Sequence, residues 1–226
     1  LAADGRVQIA LAEKNMGALV KMAESYAKER PFAGKRIAIN LHVTKETAVL
    51  VRALAAGGAE RIAVTGCNAF STQDNVAAAL ADEGIEVHAR HGCTKEQYYA
   101  GIDRVLAIKP HVIVDDGCDL TVQLHEKFPE HLEHVLGGCE QTTSGVIRAK
   151  NMTAEGVLKF PLIATNDNKT KHLLDNYYGT GQSVWDGIMR ATAMFCAAKT
   201  VVVVGYGACG KGIALRAKGL GAQVVV

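Results

Sequence analysis

Apolar runs alternate with helical patterns through the first 165 residues of the chain. Runs such as "KRIAINL" and "HVIVDD" are each followed by a segment whose apolar residues recur every three or four positions, such as "KETAVLVRALAAG". Continuous apolar strands between amphipathic helices are typical of a parallel sheet with helices on both faces. The pattern predicts a doubly wound α/β fold over about residues 35–165, with strands at 35–41, 60–66, 85–90, 111–116, 133–138 and 159–165.

A polar segment, "NDNKTKHLLDNYYGTGQS" at residues 166–183, interrupts this alternation. It has too little apolar surface for an ordinary core helix. It nevertheless joins an apolar strand to "VWDGIMRATAMFCAAK", which predicts a long helix at 184–199. Polar groups concentrated between two buried elements indicate a functional segment.

The last 27 residues have the pattern strand, glycine-rich turn, helix, strand. In "GYGACGKG", Gly205, Gly207 and Gly210 have the G-x-G-x-x-G spacing, and a strand near Val201 precedes them. In such a turn the glycines allow a tight bend, close approach to a pyrophosphate and close helix packing. The alternative is a glycine-rich turn without a ligand, which this context favours less. The acidic residue that would separate NAD from NADP is expected beyond Val226.

These patterns divide the chain into two parts. Residues 1–184 contain the doubly wound α/β domain and the polar segment, and residues 185–226 contain a long helix and the first βαβ unit of a Rossmann domain. Because a complete doubly wound domain needs several more strands, we expect the chain to be part of a longer protein.

Composition narrows the function classes. The formal charge is +2 with acidic and basic residues interspersed, which argues against nucleic-acid or membrane-surface partners. No apolar run has the length of a membrane span, and the N-terminus lacks the pattern of a signal peptide. The six cysteines form no C-x-x-C pair and have no zinc spacing, so we expect free thiols, no metal and a cytoplasmic location.

Several polar residues follow predicted strands or lie in the polar segment. Asp115 and Asp116 end one strand and His42 follows another, at the sheet edge where such folds bind ligands. Lys171 and Asp175 are four residues apart and share a helix face. Each also has a structural interpretation: a helix cap for the aspartates, a satisfied histidine, and a solvated Lys–Asp pair.

Six segments together resemble the S-adenosylhomocysteine hydrolase family, in the family's order and over nearly the whole chain. They are "LHVTKETAVL", "CNAFSTQDN", "VDDGCDLT", "EQTTSGVIR", "NDNKTKHLLDNYYGTGQSVWDGIMRAT" and "GYGACGKGIALRAKGLGA". The resemblance implies reversible hydrolysis of S-adenosylhomocysteine to adenosine and homocysteine by 3′-oxidation, C4′ deprotonation, elimination and water addition. It also implies a catalytic NAD, a nucleoside substrate and a homotetramer. Residues 1–184 would then be the substrate-binding domain, and residues 185–226 would be a hinge helix and the first βαβ unit of the NAD-binding domain.

The resemblance also implies roles for individual residues. Lys171 helps to remove the 3′-hydroxyl proton and Asp175 holds the ribose hydroxyls. Asp116 removes the C4′ proton, and His42 handles the proton of the leaving thiolate or attacking water. Thr44 and Glu46 contact the purine base. The implied cofactor contacts are Thr142, Thr143, Ser144, Asn176, Gly205, Gly207, Ala208, Cys209 and Gly210.

The chain departs from the family at Gln141, where the family usually has a second glutamate that contacts the ribose and supports the lysine. Glutamine keeps hydrogen bonding but cannot exchange a proton. This motivates one alternative, a related NAD-dependent enzyme acting on another nucleoside, such as S-inosylhomocysteine. The incomplete cofactor domain motivates a second alternative, a non-catalytic homologue that binds nucleotide. Thr180 stands where many members have cysteine. The segment Ser71 to Asp74 matches a family motif to which we assign no chemistry.

Overall fold

The structure is a computed structural model that describes residues 1–226. The chain divides into two compact units, Leu1–Ala164 and Thr165–Val226. This division precedes the polar segment, whereas the predicted functional boundary followed it, after residue 184. The assignment of substrate binding to residues 1–184 stays a prediction.

The first unit is a six-stranded parallel sheet covered by helices, which confirms the predicted α/β fold. The strand order is β3-β2-β1-β4-β5-β6. The strands are β1 Arg36–Leu41, β2 Arg61–Gly66, β3 Glu86–Val87, β4 Val112–Asp115, β5 Gly137–Glu140 and β6 Leu162–Ala164. The helices are α1 Ala2–Asn15, α2 Gly17–Glu29, α3 Lys45–Ala56, α4 Asp74–Asp82, α5 Lys95–Leu106, α6 Asp119–Lys127 and α7 Thr143–Ala154.

The two faces of the sheet bury two separate apolar clusters. Ile37 and Ile39 of β1 pack on one side, and Ala38 packs on the other with Ile102 and Ile113. Since neighbouring strand residues point to opposite faces, a strand covered on both sides is apolar at most successive positions. This explains the continuous apolar runs from which the strands were predicted.

The N-terminal helices were not predicted, because little of their sequence is buried. Of α1, only Gly5, Ile9 and Ala12 are buried, so its apolar pattern is weak. The helix instead relies on close approach, since a Cβ at Gly5 would overlap Asn75 O.

Two predicted strands of the sheet differ from the structure. The strand predicted at 133–138 is wrong over most of its length: a 3₁₀ helix, Pro129–His134, precedes the short β5. The sequence of β5, "GGCE", has low β propensity, so the strand was not recognised. Glycine is needed there because a Cβ at Gly138 would lie only 2.9 Å from Ile113 O of the neighbouring strand. The strand predicted at 85–90 retains only Glu86–Val87.

The second unit contains a βαβ unit with helices before it. A 3₁₀ turn, Thr165–Asp167, and a π-helix, Lys171–Gly179, lead directly into α8 Thr180–Thr192. Strands β7 Thr200–Val202 and β8 Gln223–Val225 pair in parallel and flank α9 Ala208–Gly219. The cofactor strand therefore lies where it was predicted, near Val201.

The helix predicted at 184–199 is displaced. It starts inside the polar segment and ends at Thr192, because Ala193 has left-handed backbone with φ 50°. The following residues turn back so that Cys196 packs with Trp185 and Ala217. None of the helices combines the length and apolar character needed to cross a membrane.

Candidate active site

The carboxyl ends of β1 and β4 form the centre of the candidate site in the first unit. After β1 the chain adds β2 and β3 on one side, and β4 then pairs with β1 on the other. Open parallel sheets bind ligands where the strand order reverses in this way. His42 follows β1 and Asp116 follows β4, so both lie at this reversal point.

His42 is held between a carboxylate and a hydroxyl. Its Nε2 lies 3.4 Å from Asp116 Oδ2, and its Nδ1 lies 2.7 Å from Ser71 Oγ. If Ser71 donates to Nδ1, then Nε2 carries the hydrogen and faces the carboxylate. The His42 side chain is 45% exposed, so the ring is oriented from both sides while remaining open to a ligand.

Asp116 accepts a second contact from the residue that departs from the family pattern. Gln141 Nε2 donates to Asp116 Oδ2 over 2.8 Å. The Asp116 side chain is only 9% exposed. The structure thus joins three predicted site residues, His42, Asp116 and Gln141, through one carboxylate oxygen.

Cys67 follows β2 and completes this cluster. Burial, and then the negative charge of Asp116, raise the pKa of the Cys67 thiol, so the thiol is neutral near pH 7. Ligand atoms of His42, Cys67 and Asp116 lie within 4.8 Å of one another, and these donor types are ones that Zn²⁺ accepts.

Asp115 has a structural role, as its alternative interpretation proposed. Its buried carboxylate accepts hydrogen bonds from Thr121 N at 2.8 Å, Thr121 Oγ1 at 2.9 Å and Asn40 Nδ2 at 3.0 Å. Asp115 therefore anchors the first turn of α6 to β1 and β4. Its neighbour Asp116 is left to face His42.

Glu140 locks the loops behind the site. Its carboxylate accepts from the backbone N–H groups of Gly117 and Cys118, both at 3.0 Å, and of Thr142 at 2.8 Å. Burial raises the pKa of Glu140 to about 7, although hydrogen bonds from Gly117 and Thr142 oppose the rise. A Cβ at Gly145 would overlap this carboxyl group, so α7 can approach only with glycine there.

The threonines at two helix starts do not act as side-chain caps. Thr44 precedes α3 and Thr142 precedes α7, and neither hydroxyl makes the capping hydrogen bond. Gln73 instead accepts from Lys45 N at 3.1 Å. Neither threonine therefore uses its hydroxyl to cap the helix that it precedes. Glu46 in the first turn of α3 is exposed.

In the second unit, Lys171 and Asn176 share one acceptor. Lys171 Nζ donates to Asn166 Oδ1 over 2.8 Å, and Asn176 Nδ2 donates to the same oxygen over 3.3 Å. Asn166 is 1% exposed. Lys171 thus contacts a neutral amide oxygen rather than forming the solvated pair with Asp175.

The three glycines of the glycine-rich turn have two different roles. Gly205 has φ 96°, and a Cβ at Gly210 would overlap Gly205 O, so these two residues serve the bend itself. At Gly207, which precedes α9, a Cβ would meet nothing within 4 Å. Packing within the turn therefore does not require glycine at 207, whereas close approach of a pyrophosphate does. Ala208 and Cys209 form the first turn of α9.

Comparison with known families supports both parts of this description. Residues 1–128 match the model of S-adenosyl-L-homocysteine hydrolase, and residues 176–226 match the model of the NAD binding domain of that enzyme. The chain belongs to the S-adenosyl-L-homocysteine hydrolase family. The second match confirms that the glycine-rich unit is part of an NAD-binding domain of this hydrolase family.

Relatives in the hydrolase family carry two different substrate names. The S-inosyl-L-homocysteine hydrolases of Methanopyrus kandleri and Methanocaldococcus jannaschii are 55% and 54% identical over 100% and 99% of this chain. The adenosylhomocysteinase of Sulfolobus acidocaldarius is 53% identical over 100% of it. The chain spans about half the length of these curated relatives, since the matches cover 53% or 54% of each.

Four residues of the site were not predicted as contacts. Cys67, Glu140 and Asn166 lie at or just after strand ends, and Ser71 lies in the "STQD" segment that matched the family. A polar residue after a buried strand was the signal that pointed to His42 and Asp116. The same signal applies to Cys67 and Asn166, but it does not indicate which polar groups they contact.

Proposed function

We propose that the full-length protein catalyses the reversible hydrolysis of an S-nucleosyl-L-homocysteine to a nucleoside and homocysteine, with adenosine as the leading nucleoside. The observation that carries this proposal is the convergence of His42 and Gln141 on Asp116 at the reversal point of the sheet. The glycine-rich turn with Gly205, Gly207 and Gly210 would hold NAD, which would supply the hydride acceptor for oxidation of the ribose 3′-hydroxyl and the hydride donor for its reduction.

Asp116 is the proposed base for the C4′ proton, which a 3′-ketone makes acidic. A carboxylate can take this proton only if it is ionised and oriented. The amide hydrogen bond from Gln141 supports both conditions, because an amide N–H stabilises the charged form and fixes Oδ2. Low exposure of Asp116 limits competition from water.

His42 is the proposed carrier of the proton that the departing thiolate accepts and the attacking water loses. An imidazole can take up a proton at one ring nitrogen and release it again, so it can perform both transfers in one cycle. The contact with Ser71 at 2.7 Å restrains the ring, and its exposure leaves the ring accessible to a substrate.

Lys171 is the proposed base for the 3′-hydroxyl proton, with Asp175 as the partner of the ribose hydroxyls and Asn176 as a contact of the nicotinamide side. The neutral Asn166 oxygen positions the amine. Unlike a carboxylate, it does not strongly stabilise the protonated form.

The nucleobase is the open part of the proposal, and Thr44 and Glu46 are the proposed base contacts. The names of the methanogen relatives favour inosine as a second candidate. The test is the absorbance of NADH formed when the NAD-loaded full-length protein meets adenosine or inosine. Faster reduction by inosine would replace adenosine in the proposal, and reduction by neither would favour a non-catalytic homologue. Tetrameric assembly and a cytoplasmic location remain predictions.

A further inference from the structure

A second cavity of the first unit is separate from the His42–Asp116 cluster. It has a volume of about 310 Å³ and lies between the carboxyl ends of β2 and β3 and the start of α5. Neither His42 nor Asp116 lines it. Its volume is at the low end of the roughly 300–1,000 Å³ that small-molecule sites occupy, so an occupant must be small.

The charge of this cavity has one sign. Arg90 and Arg104 both line it, and neither forms an ion pair. The lining contains His88 but no aspartate or glutamate. Burial, and then the charge of Arg104, lower the pKa of His88, which places His88 within electrostatic reach of that arginine. Two unpaired guanidinium groups in one cavity favour an anion that can accept from both.

A hydroxyl at the wall makes no hydrogen bond within the protein. It belongs to Thr72, a residue that is only 4% exposed and lines the cavity. The hydroxyl is therefore available to a ligand in this cavity. A Cβ at Gly66 would lie 2.8 Å from Thr72 Oγ1, so glycine there keeps the hydroxyl uncovered.

We propose that this cavity binds a small oxyanion, with Arg90 and Arg104 as its charged partners. The ligand would carry a phosphate or carboxylate group and no ammonium group. Amino acids are excluded because the cavity is lined by no carboxylate that could pair with their ammonium group. An ammonium group placed there would meet cationic side chains and no counter-charge. Phosphate should bind more tightly than acetate, because a doubly charged anion can pair with two guanidinium groups.

The test is isothermal titration of the NAD-loaded full-length protein with inorganic phosphate, acetate and the amino acid glycine at constant ionic strength. Bound NAD keeps phosphate away from the glycine-rich turn. Arg90→Gln and Arg104→Gln should each weaken phosphate binding by about tenfold or more. The control Lys95→Gln removes an exposed charge of α5 that does not line the cavity, and should change binding by less than about twofold.

Cys93 provides a readout at the cavity itself, because its half-buried side chain lines the same space. Phosphate should slow the alkylation of Cys93 by iodoacetamide, measured by mass spectrometry, and Arg104→Gln should remove this protection. Unchanged alkylation in the parent protein would overturn the site. Equal weakening by all three substitutions would show diffuse charge attraction instead, and binding of the amino acid glycine as tight as that of phosphate would overturn the assigned ligand class.

Discussion

Gln141 and His42 approach the same oxygen of Asp116, at 2.8 Å and 3.4 Å. Gln141 can only donate through its amide nitrogen, so this contact favours an ionised Asp116. A glutamate at position 141 would place a second carboxylate against the first. The departure from the usual family residue therefore changes the charge balance around Asp116, in addition to any contact with the ribose.

Gln141→Glu should move C4′ proton removal to higher pH. Two carboxylates at hydrogen-bond distance cannot both be ionised without a large cost, so the pair takes up one proton. We expect the pH–rate profile for exchange of the C4′ hydrogen with deuterated water to shift upward by about one unit or more. NAD binding should be unchanged.

Gln141→Ala is the matched control for this effect. It removes the hydrogen bond without adding a charge, so it should lower the exchange rate without the upward shift. If Gln141→Ala and Gln141→Glu gave the same profile, the charge of residue 141 would not act on Asp116.

Lys171→Ala should reduce the rate of NAD reduction by the nucleoside by about a hundredfold or more, the usual effect of losing a positioned base. Lys169→Ala is the control, because Lys169 is an exposed lysine two residues away. The measurement is NADH absorbance in the NAD-loaded protein. Equal rates in the parent and Lys171→Ala would exclude Lys171 from the reaction.

Asn166→Asp tests the role of Lys171 by changing the residue that accepts its hydrogen bond. The substitution replaces the amide oxygen that accepts from Lys171 with a carboxylate of nearly the same shape. The new charge stabilises the protonated amine, so NAD reduction at neutral pH should slow and recover as pH rises. A rate that is depressed equally at every pH would indicate a structural role for Asn166.

The pattern of apolar residues was sufficient to predict the central strands, because a strand buried on both faces has a nearly continuous apolar sequence. It failed where burial is slight. Only three residues of α1 are buried, and half of β5 is glycine, so neither resembles a typical element. Position after a strand located His42 and Asp116, but their contacts with Gln141 and Ser71 depend on loop paths that no local pattern encodes.

Substitutions at two glycines of the cofactor turn should have different effects, one on the stability of the protein and the other on NAD binding. Gly210→Ala should lower the free energy of unfolding of the NAD-free protein by about 2 kcal/mol, because its Cβ would overlap Gly205 O. Gly207→Ala should leave this stability unchanged or raise it by at most about 1 kcal/mol, and should weaken NAD binding. Urea unfolding and NAD titration provide the two measurements. Unimpaired NAD binding by Gly207→Ala would contradict close approach of the pyrophosphate at this residue.

Gly145→Ala should destabilise the first unit by about 2 kcal/mol, within the range for an overpacked site. Its Cβ would overlap the carboxyl group of Glu140, and Glu140 cannot move without leaving three backbone N–H groups unpaired. The control Gly17→Ala adds the same methyl group in the first turn of α2, where nothing lies within 4 Å, and should be neutral or slightly stabilising. Urea unfolding of both variants gives the difference. Equal stability of the two variants would show that α7 can shift to accommodate the methyl group.

Gly145→Ala should also slow C4′ exchange, because Glu140 holds the loop that follows Asp116.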